Sequence, residues 1–533
     1  MDTRHRPKTK QKAPVGLASS ARVVSSVASS ALSSMNNVPS WPQRLSFCPP
    51  GFALDQAGDC VSTVCEPQAH PLADLDQNAR LAEYERRVKD RFAGIVPTLK
   101  HIASLQQTGD FAERAQAIAR ERMGFDLDES VLANTWIAPL DMRRLYGQSV
   151  LQTFCQLAQE EVRESEGCDE TEAAVRFFIE CGFHEVNVSA CADGRLKGFI
   201  NYILRLPQEA VPRHQFYAGT TFDVELNVKQ WTTTELRRFR EGVPTTADSG
   251  TRYLKIASYH FSGSDPDHEG CAAHGSSNAK AMQAALDRLQ AFSTAIENGF
   301  CCGASVATLL IGVDTDNDSI RVHVPDANGE ISLDCFIDNS ALYQETAKLT
   351  KLEAQWKLNA IVEETVRNFN RTVPEIGMRR LIKQLLTNNL SQIDYVCEFH
   401  NGRYADIGHA ERFISVGDGF EEVHLRNLAY FSHMQTLEEG TADMDVGIKI
   451  FTRLNVAQGL PVPVAIHYRY DDQVPGARDR AVARCQRVKA AIMARYPELA
   501  HDGLLICGMS VQAHTAGSAL EKVSDNDQYK QGH

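Results

Sequence analysis

The chain of 533 residues has a formal charge of −13 and is 43% hydrophobic and 23% charged. This length exceeds what one hydrophobic core supports and predicts about three domains. Residues 1–46 hold seven basic side chains and one acidic one, a net charge of +6 that leaves −19 on the remainder. The acidic body argues against nucleic-acid binding. The longest apolar stretch, residues 301–313, is shorter than the roughly 20 residues that span a membrane, so we expect no membrane segment.

The chain begins with residues 1–46, which are rich in Ser and Ala and poor in aromatic side chains. Such a segment buries too little apolar surface to offset its ordering entropy, which predicts a disordered basic tail. Its Arg- and Ser-rich composition leaves a transit peptide open as an alternative. Cys48, Cys60 and Cys65 follow closely together and admit a local disulfide or metal clip, whereas the other cysteines are expected to be reduced.

Residues 47–165 are predicted to form an all-α N-terminal domain. Apolar side chains recur at steps of three and four in residues 81–105, 110–123 and 141–162, which is typical of amphipathic helices. These segments carry no paired metal ligands and no catalytic spacing. We therefore interpret the domain as an interaction module.

Residues 166–372 change to an alternation of strands and helices. Four segments are predicted as strands, and residues 278–298 are predicted as a helix. The predicted strands are residues 184–191, 197–206, 251–260 and 305–313. This order indicates an α/β domain in which at least part of the sheet is parallel.

Residues 373–533 are predicted to be a second, degenerate copy of that domain. An offset of 208 lays residues 188–195 on 396–403 and residues 256–260 on 464–468. Cys191, Asp193 and His260 then match side chains that cannot bind a soft metal or carry the same charge. The matching side chains are Phe399, Asn401 and Tyr468. We expect this copy to act as scaffold only, with Phe399 and Tyr468 filling the position of a lost site.

A thiol, a carboxylate and a guanidinium occupy alternate positions at the end of the first predicted strand: Cys191, Asp193 and Arg195. Alternate residues of an extended chain share a face. His260 ends another strand, and the carboxyl ends of strands are where α/β sheets build their sites.

Two ligands are too few for zinc, so a third is needed. Candidates after His260 are His268, Cys271 and His274. We favour Cys271, because the amides of a helix that begins shortly after it would favour the thiolate form.

The pattern Cys-x-Asp-x-Arg at a strand end, with a distant His and a following Cys, resembles the beta-type carbonic anhydrases. Ten residues lie between His260 and Cys271, whereas most of that class have two. This departure, the helical domain in front and the degenerate copy behind resemble the carboxysome shell carbonic anhydrases. The resemblance extends over essentially the whole chain.

The resemblance implies a lyase that binds one Zn²⁺ per chain through Cys191, His260 and Cys271. Zinc in such a site acidifies water and supplies hydroxide for attack on carbon dioxide. Asp193 would accept a hydrogen bond from the zinc-bound oxygen, and Arg195 would keep Asp193 ionised. Binding of Asp193 to the metal in a resting form stays open.

The same resemblance implies reversible hydration of carbon dioxide to bicarbonate inside a bacterial carboxysome, at its interior or at the inner face of its shell. The enzyme would supply carbon dioxide to Rubisco, which the N-terminal tail would bind, and it would form a homodimer or a larger homo-oligomer. The alternative is a non-catalytic zinc-bearing scaffold that links shell and cargo. Asp193 and Arg195 discriminate between the two, since a scaffold has no use for them.

Overall fold

The computed structural model describes most of the chain, namely residues 52–54, 60–62, 69–133, 139–164, 168–245, 249–300, 306–418, 423, 425–432, 437–515 and 517–524. The predicted tail, Cys48 and Cys65 lie outside these residues, and Cys60 is described only as part of a strand backbone. Cys397 is disulfide-bonded, so the expectation of reduced thiols is wrong for this residue. Within the described residues, no helix combines the length and the apolarity that crossing a membrane requires.

The N-terminal region is helical, as its periodicity predicts. A short antiparallel hairpin precedes the helices. The elements are β1 (Phe52–Leu54), β2 (Cys60–Ser62), α1 (Leu75–Ala93), α2 (Ile95–Ser104), α3 (Phe111–Met123), α4 (Glu129–Leu132) and α5 (Met142–Glu164). Asp74 caps α1 by accepting the Gln77 N–H. The buried faces of these helices share a core with Phe413 and Ala465, so the helical region packs on the C-terminal part of the chain.

The middle of the chain forms a six-stranded sheet, here called the first sheet. Its order is β4-β3-β5-β6-β7-β8; the first four strands are parallel, β7 is antiparallel to β6, and β8 is antiparallel to β7. Its elements are α6 (Cys168–Glu180), β3 (Phe183–Cys191), β4 (Arg213–Tyr217), α7 (Val224–Arg240), β5 (Arg252–Phe261), α8 (Asn278–Phe300), β6 (Val306–Asp314), β7 (Ser319–His323), β8 (Phe336–Asp338), α9 (Asn339–Thr346) and α10 (Lys351–Asn368). Nine of the ten residues of β5 are buried, as expected for a central strand covered on both faces.

The predicted strand at 197–206 is wrong. The segment forms a π turn at Phe199–Ile203 that follows a 3₁₀ turn at Gly194–Leu196. Phe199, Ile200, Ile203 and Leu204 are all buried. A short, buried apolar run has no periodicity that distinguishes a strand from a helix, and the strand prediction was wrong for this reason.

The C-terminal part forms a second sheet of five strands in the order β10-β9-β11-β12-β13, of which only β13 is antiparallel. Its elements are α11 (Ile376–His400), β9 (Phe413–Gly417), β10 (Ala429–Ser432), α12 (Leu437–Leu454), β11 (Val462–Tyr470), α13 (Ala477–Arg495), α14 (Pro497–His501), β12 (Leu505–Ala513) and β13 (Glu521–Val523). The two sheets share one hydrophobic core.

The first four strands of the two sheets follow the same order and direction, β4-β3-β5-β6 and β10-β9-β11-β12. β5 and β11 take the same place in this order, and the predicted offset of 208 would set Tyr468 against His260.

The match of residues 188–195 to 396–403 is wrong, because Phe399 lies near the end of helix α11 and is 42% exposed. If Ser258 and Ile466 are matched at the offset of 208, strand pairing gives a different match for Cys191. Ala190 pairs with Ser258 in the first sheet, and Val416 pairs with Ile466 in the second. Gly417 therefore takes the position of Cys191.

Candidate metal centre and active site

The metal-ligand candidates meet at the carboxyl edge of the first sheet. Cys191 ends β3, and His260 is the penultimate residue of the neighbouring strand β5. Cys271 follows in the β5–α8 connection, and its Sγ lies 3.8 Å from that of Cys191. One ligand atom from each of the three residues lies within 4.8 Å of the others, and all three residues are buried.

The other two candidates for the third ligand lie apart from this group. The His268 side chain is 78% exposed and pairs with Asp265. The Nε2 of His274 donates to the Gly219 carbonyl over 3.0 Å.

The three ligand candidates fit a soft divalent metal. Neither ring nitrogen of His260 makes a hydrogen bond within the described residues, although the side chain is fully buried and its Nε2 lies 3.4 Å from Oδ2 of Asp193. A buried polar atom without a hydrogen bond is costly, and a metal ion would satisfy it. Two thiolates and one imidazole are ligands that zinc prefers, and three protein ligands leave a fourth position for substrate.

The two thiols influence each other's ionisation. Their mutual hydrogen bond and burial hold the pKa of Cys191 well above its usual value. The same hydrogen bond lowers the pKa of Cys271, helped by the backbone amides of Ala273 and His274. The amides that act on Cys271 therefore belong to the 3₁₀ turn Ala272–His274, whereas we expected those of helix α8.

Asp193 and Arg195 form a buried ion pair beside this group, but not on an extended strand as we expected. The strand ends at Cys191, and Asp193 caps the 3₁₀ turn that contains Arg195. The guanidinium donates from Nε to Oδ1 over 2.9 Å and from Nη2 to Oδ2 over 2.8 Å. Burial alone would raise the pKa of Asp193, but Arg195, and after it His260 and His409, hold it well below its usual value.

Every N–H of the Arg195 guanidinium has an acceptor. Nη1 donates to the carbonyls of Glu269 and Ile407 over 2.6 and 2.8 Å, and the second proton of Nη2 reaches the Gly270 carbonyl at 3.5 Å. The side chain is completely buried. Arg195 therefore orients Asp193 and has no donor left for a substrate.

Residues that follow α11 contribute two ionisable groups that the sequence did not identify, His409 and Glu411. The Nε2 of His409 lies 3.8 Å from Oδ2 of Asp193, and its Nδ1 lies 2.9 Å from Oε1 of Glu411. Burial opposes protonation of His409, but the negative charges of Glu411 and Asp193 raise its pKa.

Backbone contacts from the C-terminal part clamp the turn that carries Asp193. The Gly194 N–H donates to Glu411 over 3.1 Å, and the Asn427 N–H donates to the Gly194 carbonyl over 2.8 Å. A Cβ at position 194 would overlap the Glu411 side chain, so this close approach requires glycine. The Phe431 N–H donates to the Ala192 carbonyl over 3.2 Å. The C-terminal part therefore directly supports the turn that carries Asp193.

The second sheet also places Tyr430 and Asp443 near the centre. Tyr430 lies in β10 and is 2% exposed. Burial, then Asp443, Cys191, Asp193 and Cys271, hold its pKa well above the usual value. Burial raises the pKa of Asp443 to about 7, and its Oδ1 accepts the Ala218 N–H over 3.1 Å.

Two thiols, an imidazole and an Asp–Arg pair at the carboxyl edge of a mainly parallel α/β sheet are typical of metal-dependent enzymes with three protein ligands. Family models for the carboxysome shell carbonic anhydrase match in three parts: the N-terminal domain at residues 70–162, the catalytic domain at 173–409 and the C-terminal domain at 410–527.

Curated relatives agree over most of the chain. The carboxysome shell carbonic anhydrase of Halothiobacillus neapolitanus is 48% identical over 487 residues, which cover 89% of this chain and 94% of the relative. That of Prochlorococcus marinus strain MIT 9313 is 47% identical over 485 residues, 89% of this chain and 92% of the relative. The protein of the same name from Hydrogenovibrio crunogenus is 44% identical over 443 residues, which cover 82% of this chain and 83% of the relative. The chain belongs to the carboxysome shell carbonic anhydrase family, and it is an enzyme of the carbonic anhydrase class.

Proposed function

We propose that the chain binds one Zn²⁺ through Cys191, His260 and Cys271 and catalyses the reversible hydration of carbon dioxide to bicarbonate. The convergence of these three side chains next to a buried Asp193–Arg195 pair is the observation that carries the proposal. Zinc, when bound, supplies a hydroxide nucleophile near neutral pH.

Asp193 orients the attack on carbon dioxide. Its carboxylate stays ionised because Arg195 lies against both of its oxygens. Oδ2 lies 3.4 Å from Nε2 of His260, at the edge of the ligand group, where it would accept a hydrogen bond from the nucleophile that zinc would supply and so direct it. The same ion pair favours this role over binding of Asp193 to the metal, since metal binding would have to compete with the guanidinium.

His409 is placed to carry the released proton away from the site. One ring nitrogen lies near Asp193, and Glu411 holds the other. The side chain is 19% exposed, so it joins the buried site to solvent. A second metal in the group formed by Asp193, His409 and Glu411 is disfavoured, because the Arg195 guanidinium already neutralises the shared carboxylate.

The alternative of a non-catalytic zinc scaffold is disfavoured by the Asp193–Arg195 pair. A structural zinc site is usually closed by a fourth protein ligand. Within the described residues, the metal-ligating group contains three residues, and the adjacent carboxylate is held by Arg195. Burying such a pair is costly and serves no purpose in a scaffold.

The relatives are named for the carboxysome shell. We place this chain in a bacterial carboxysome, at the interior or the inner face of the shell, where it supplies carbon dioxide to Rubisco as a homodimer or a larger homo-oligomer. The basic residues 1–46, at a net charge of +6, are the segment we propose to bind Rubisco. Several tails in one oligomer would add avidity to a salt-sensitive attraction.

We propose that the two sheets arose by duplication of one carbonic-anhydrase-like domain and that the C-terminal copy is degenerate. We further propose four segments: a tail at 1–46, a helical domain at 47–165, a catalytic domain at 166–372 and the degenerate copy at 373–533. The common strand order supports the duplication. The catalytic family model reaches residue 409 and so extends beyond the proposed boundary at 372.

Measuring zinc content and carbon dioxide hydration on one purified sample tests the proposal. We expect one zinc per chain and rapid hydration that a chelator abolishes. A sample that retains zinc without hydrating carbon dioxide would favour the scaffold.

Deletion of residues 1–46 tests the tail separately. Hydration in solution should be unchanged, while binding to purified Rubisco is lost. A truncated chain that still binds Rubisco would move the recruiting surface to the folded part of the chain.

A further inference from the structure

The anionic product needs a hydrogen-bond donor that Arg195 does not provide. Hydration turns a neutral molecule into an anion, so negative charge develops on the oxygens of carbon dioxide as the new bond forms. A preorganised donor at that position stabilises the transition state more than the ground state. All five guanidinium N–H groups of Arg195 are taken by Asp193 and three backbone carbonyls.

Tyr430 carries a buried donor next to the catalytic turn. The following residue, Phe431, donates its N–H to Ala192, which lies between Cys191 and Asp193. The Phe431 ring packs against Phe216, with ring centroids 5.7 Å apart. Because successive side chains of a strand point to opposite faces, the Tyr430 ring points to the other face of β10.

Helix α12 fixes the position of the Tyr430 ring. A Cβ at Gly447 would lie 2.8 Å from Cδ1 of the ring, so the absence of a side chain there lets the ring approach the helix. The Tyr430 hydroxyl is buried and makes no hydrogen bond within the described residues. A nearby carboxylate, Asp443, accepts from the Ala218 amide through Oδ1. Buried hydroxyls nearly always have a partner, so this one requires an explanation.

We propose that Tyr430 is a catalytic residue supplied by the second sheet, whose hydroxyl donates a hydrogen bond to an oxygen of the substrate as carbon dioxide becomes bicarbonate. This inference rests on the proposed function. The tyrosine donates without losing its proton, because burial and the neighbouring negative charges keep its pKa well above the usual value. A hydrogen bond to a charged acceptor changes affinity by about 10- to 100-fold.

The test compares two anions on the full-length chain, with cobalt(II) in place of zinc as a visible probe. Formate resembles bicarbonate, since it has a carboxylate that can reach from the metal to a second donor. Iodide is a single soft atom that binds a metal without such a bridge. Absorption titrations give both dissociation constants without reference to turnover, and they do not depend on the fraction of protein that is folded.

Tyr430→Phe should weaken formate binding by at least about 10-fold and leave iodide within about twofold. Tyr468→Phe is the matched control, because Tyr468 is also a buried tyrosine of the second sheet, 1% exposed. It should change neither constant.

Unchanged formate binding in Tyr430→Phe would overturn the inference. Equal weakening of both anions would overturn it too, since that result reports a disturbed metal centre. The proposed function fails on a different observation, namely a zinc-loaded wild-type chain that does not hydrate carbon dioxide.

Discussion

The two sheets of this molecule share the order and direction of four strands but differ in what those strands carry at their ends. The first sheet has Cys191 and His260, and the second has Gly417 and Tyr468 at the matching positions. The scaffold is therefore compatible with a site and with its absence. The two strand-end ligand candidates of the first sheet, Cys191 and His260, are absent from the matching positions of the second sheet.

In the second sheet, packed side chains surround Gly417 and Tyr468, the residues that match the metal-ligand candidates of the first sheet. Gly417 has φ of 111°, and a Cβ there would overlap the His467 carbonyl and lie 3.1 Å from Cζ of Tyr468. The Arg484 guanidinium lies over the Tyr468 ring, 4.1 Å from its centroid. A tyrosine ring thus occupies the space next to glycine where the first sheet places a thiol and an imidazole.

Removal of a ligand should have the largest effect. Cys191→Ser or His260→Ala should lose both the metal and the hydration activity, because two remaining ligands do not hold zinc. Elemental analysis and stopped-flow hydration measure the two losses. The control is Tyr468→Phe in the second sheet, which should keep both. A His260→Ala protein with full zinc content would exclude His260 as a ligand.

Removal of the Asp193 charge should have the next effect. Asp193→Asn should keep one zinc per chain and lower kcat by about 10²- to 10⁴-fold, since the amide cannot play the carboxylate's part in directing the nucleophile. Stopped-flow assays at matched zinc content measure it. Normal hydration by this variant would contradict the role we give to Asp193.

The comparison of the two sheets can also be tested by placing metal ligands at the matching positions of the second sheet. The double variant Gly417→Cys, Tyr468→His should still bind one zinc per chain. It should lose at least about 3 kcal/mol of unfolding free energy, because position 417 strains any side chain and the smaller ring leaves a cavity. Urea unfolding and metal analysis test both points. The single variant Tyr468→His measures the loss of stability that the cavity causes without the strain at position 417. A second zinc bound by the double variant would show that the two sites differ only in their ligands.

The smallest effect concerns Asp443 of helix α12, which accepts the Ala218 N–H. Its pKa of about 7 lies above the usual 3.8, so the folded state keeps a proton that the unfolded state releases at lower pH. This group therefore costs nothing below pH 4 and progressively destabilises the fold as the pH rises to 7. Asp443→Asn should remove this dependence and gain roughly 3 kcal/mol at pH 8 relative to pH 4.5.

Denaturant unfolding of Asp443→Asn at the two pH values measures the difference. Asp445→Asn is the control on the same helix, because Asp445 is half exposed and its pKa is lowered by Arg495. The same gain in both variants would mean that the burial of Asp443 is not the cause.

Local sequence patterns predicted the strand ends that bear Cys191 and His260, because a central strand has a long apolar run and its polar terminus stands out. The strand prediction for residues 197–206 was wrong because the apolar residues there show neither a strand nor a helix periodicity. The repeat was wrong at Phe399, since one offset cannot absorb the different lengths before β9, and the match of Tyr468 to His260 stays a prediction.

His409, Glu411 and Tyr430 were missed because they follow the catalytic turn by more than 200 residues, and nothing local marks them as part of the site. The one signal was a His and a Glu placed just ahead of a strand, as in residues 409–413. Only the packing of the two sheets brings these side chains to Asp193.

The hydrogen bonds from Asn427 and Phe431 to the turn at 192–194 have a consequence for synthesis on the ribosome. All three metal ligands have been translated once residue 271 is made, but the strand that clamps the turn follows about 150 residues later. At 5–20 residues per second, that interval lasts roughly 8–30 s. A nascent chain therefore acquires its ligand set well before it can become a competent catalyst.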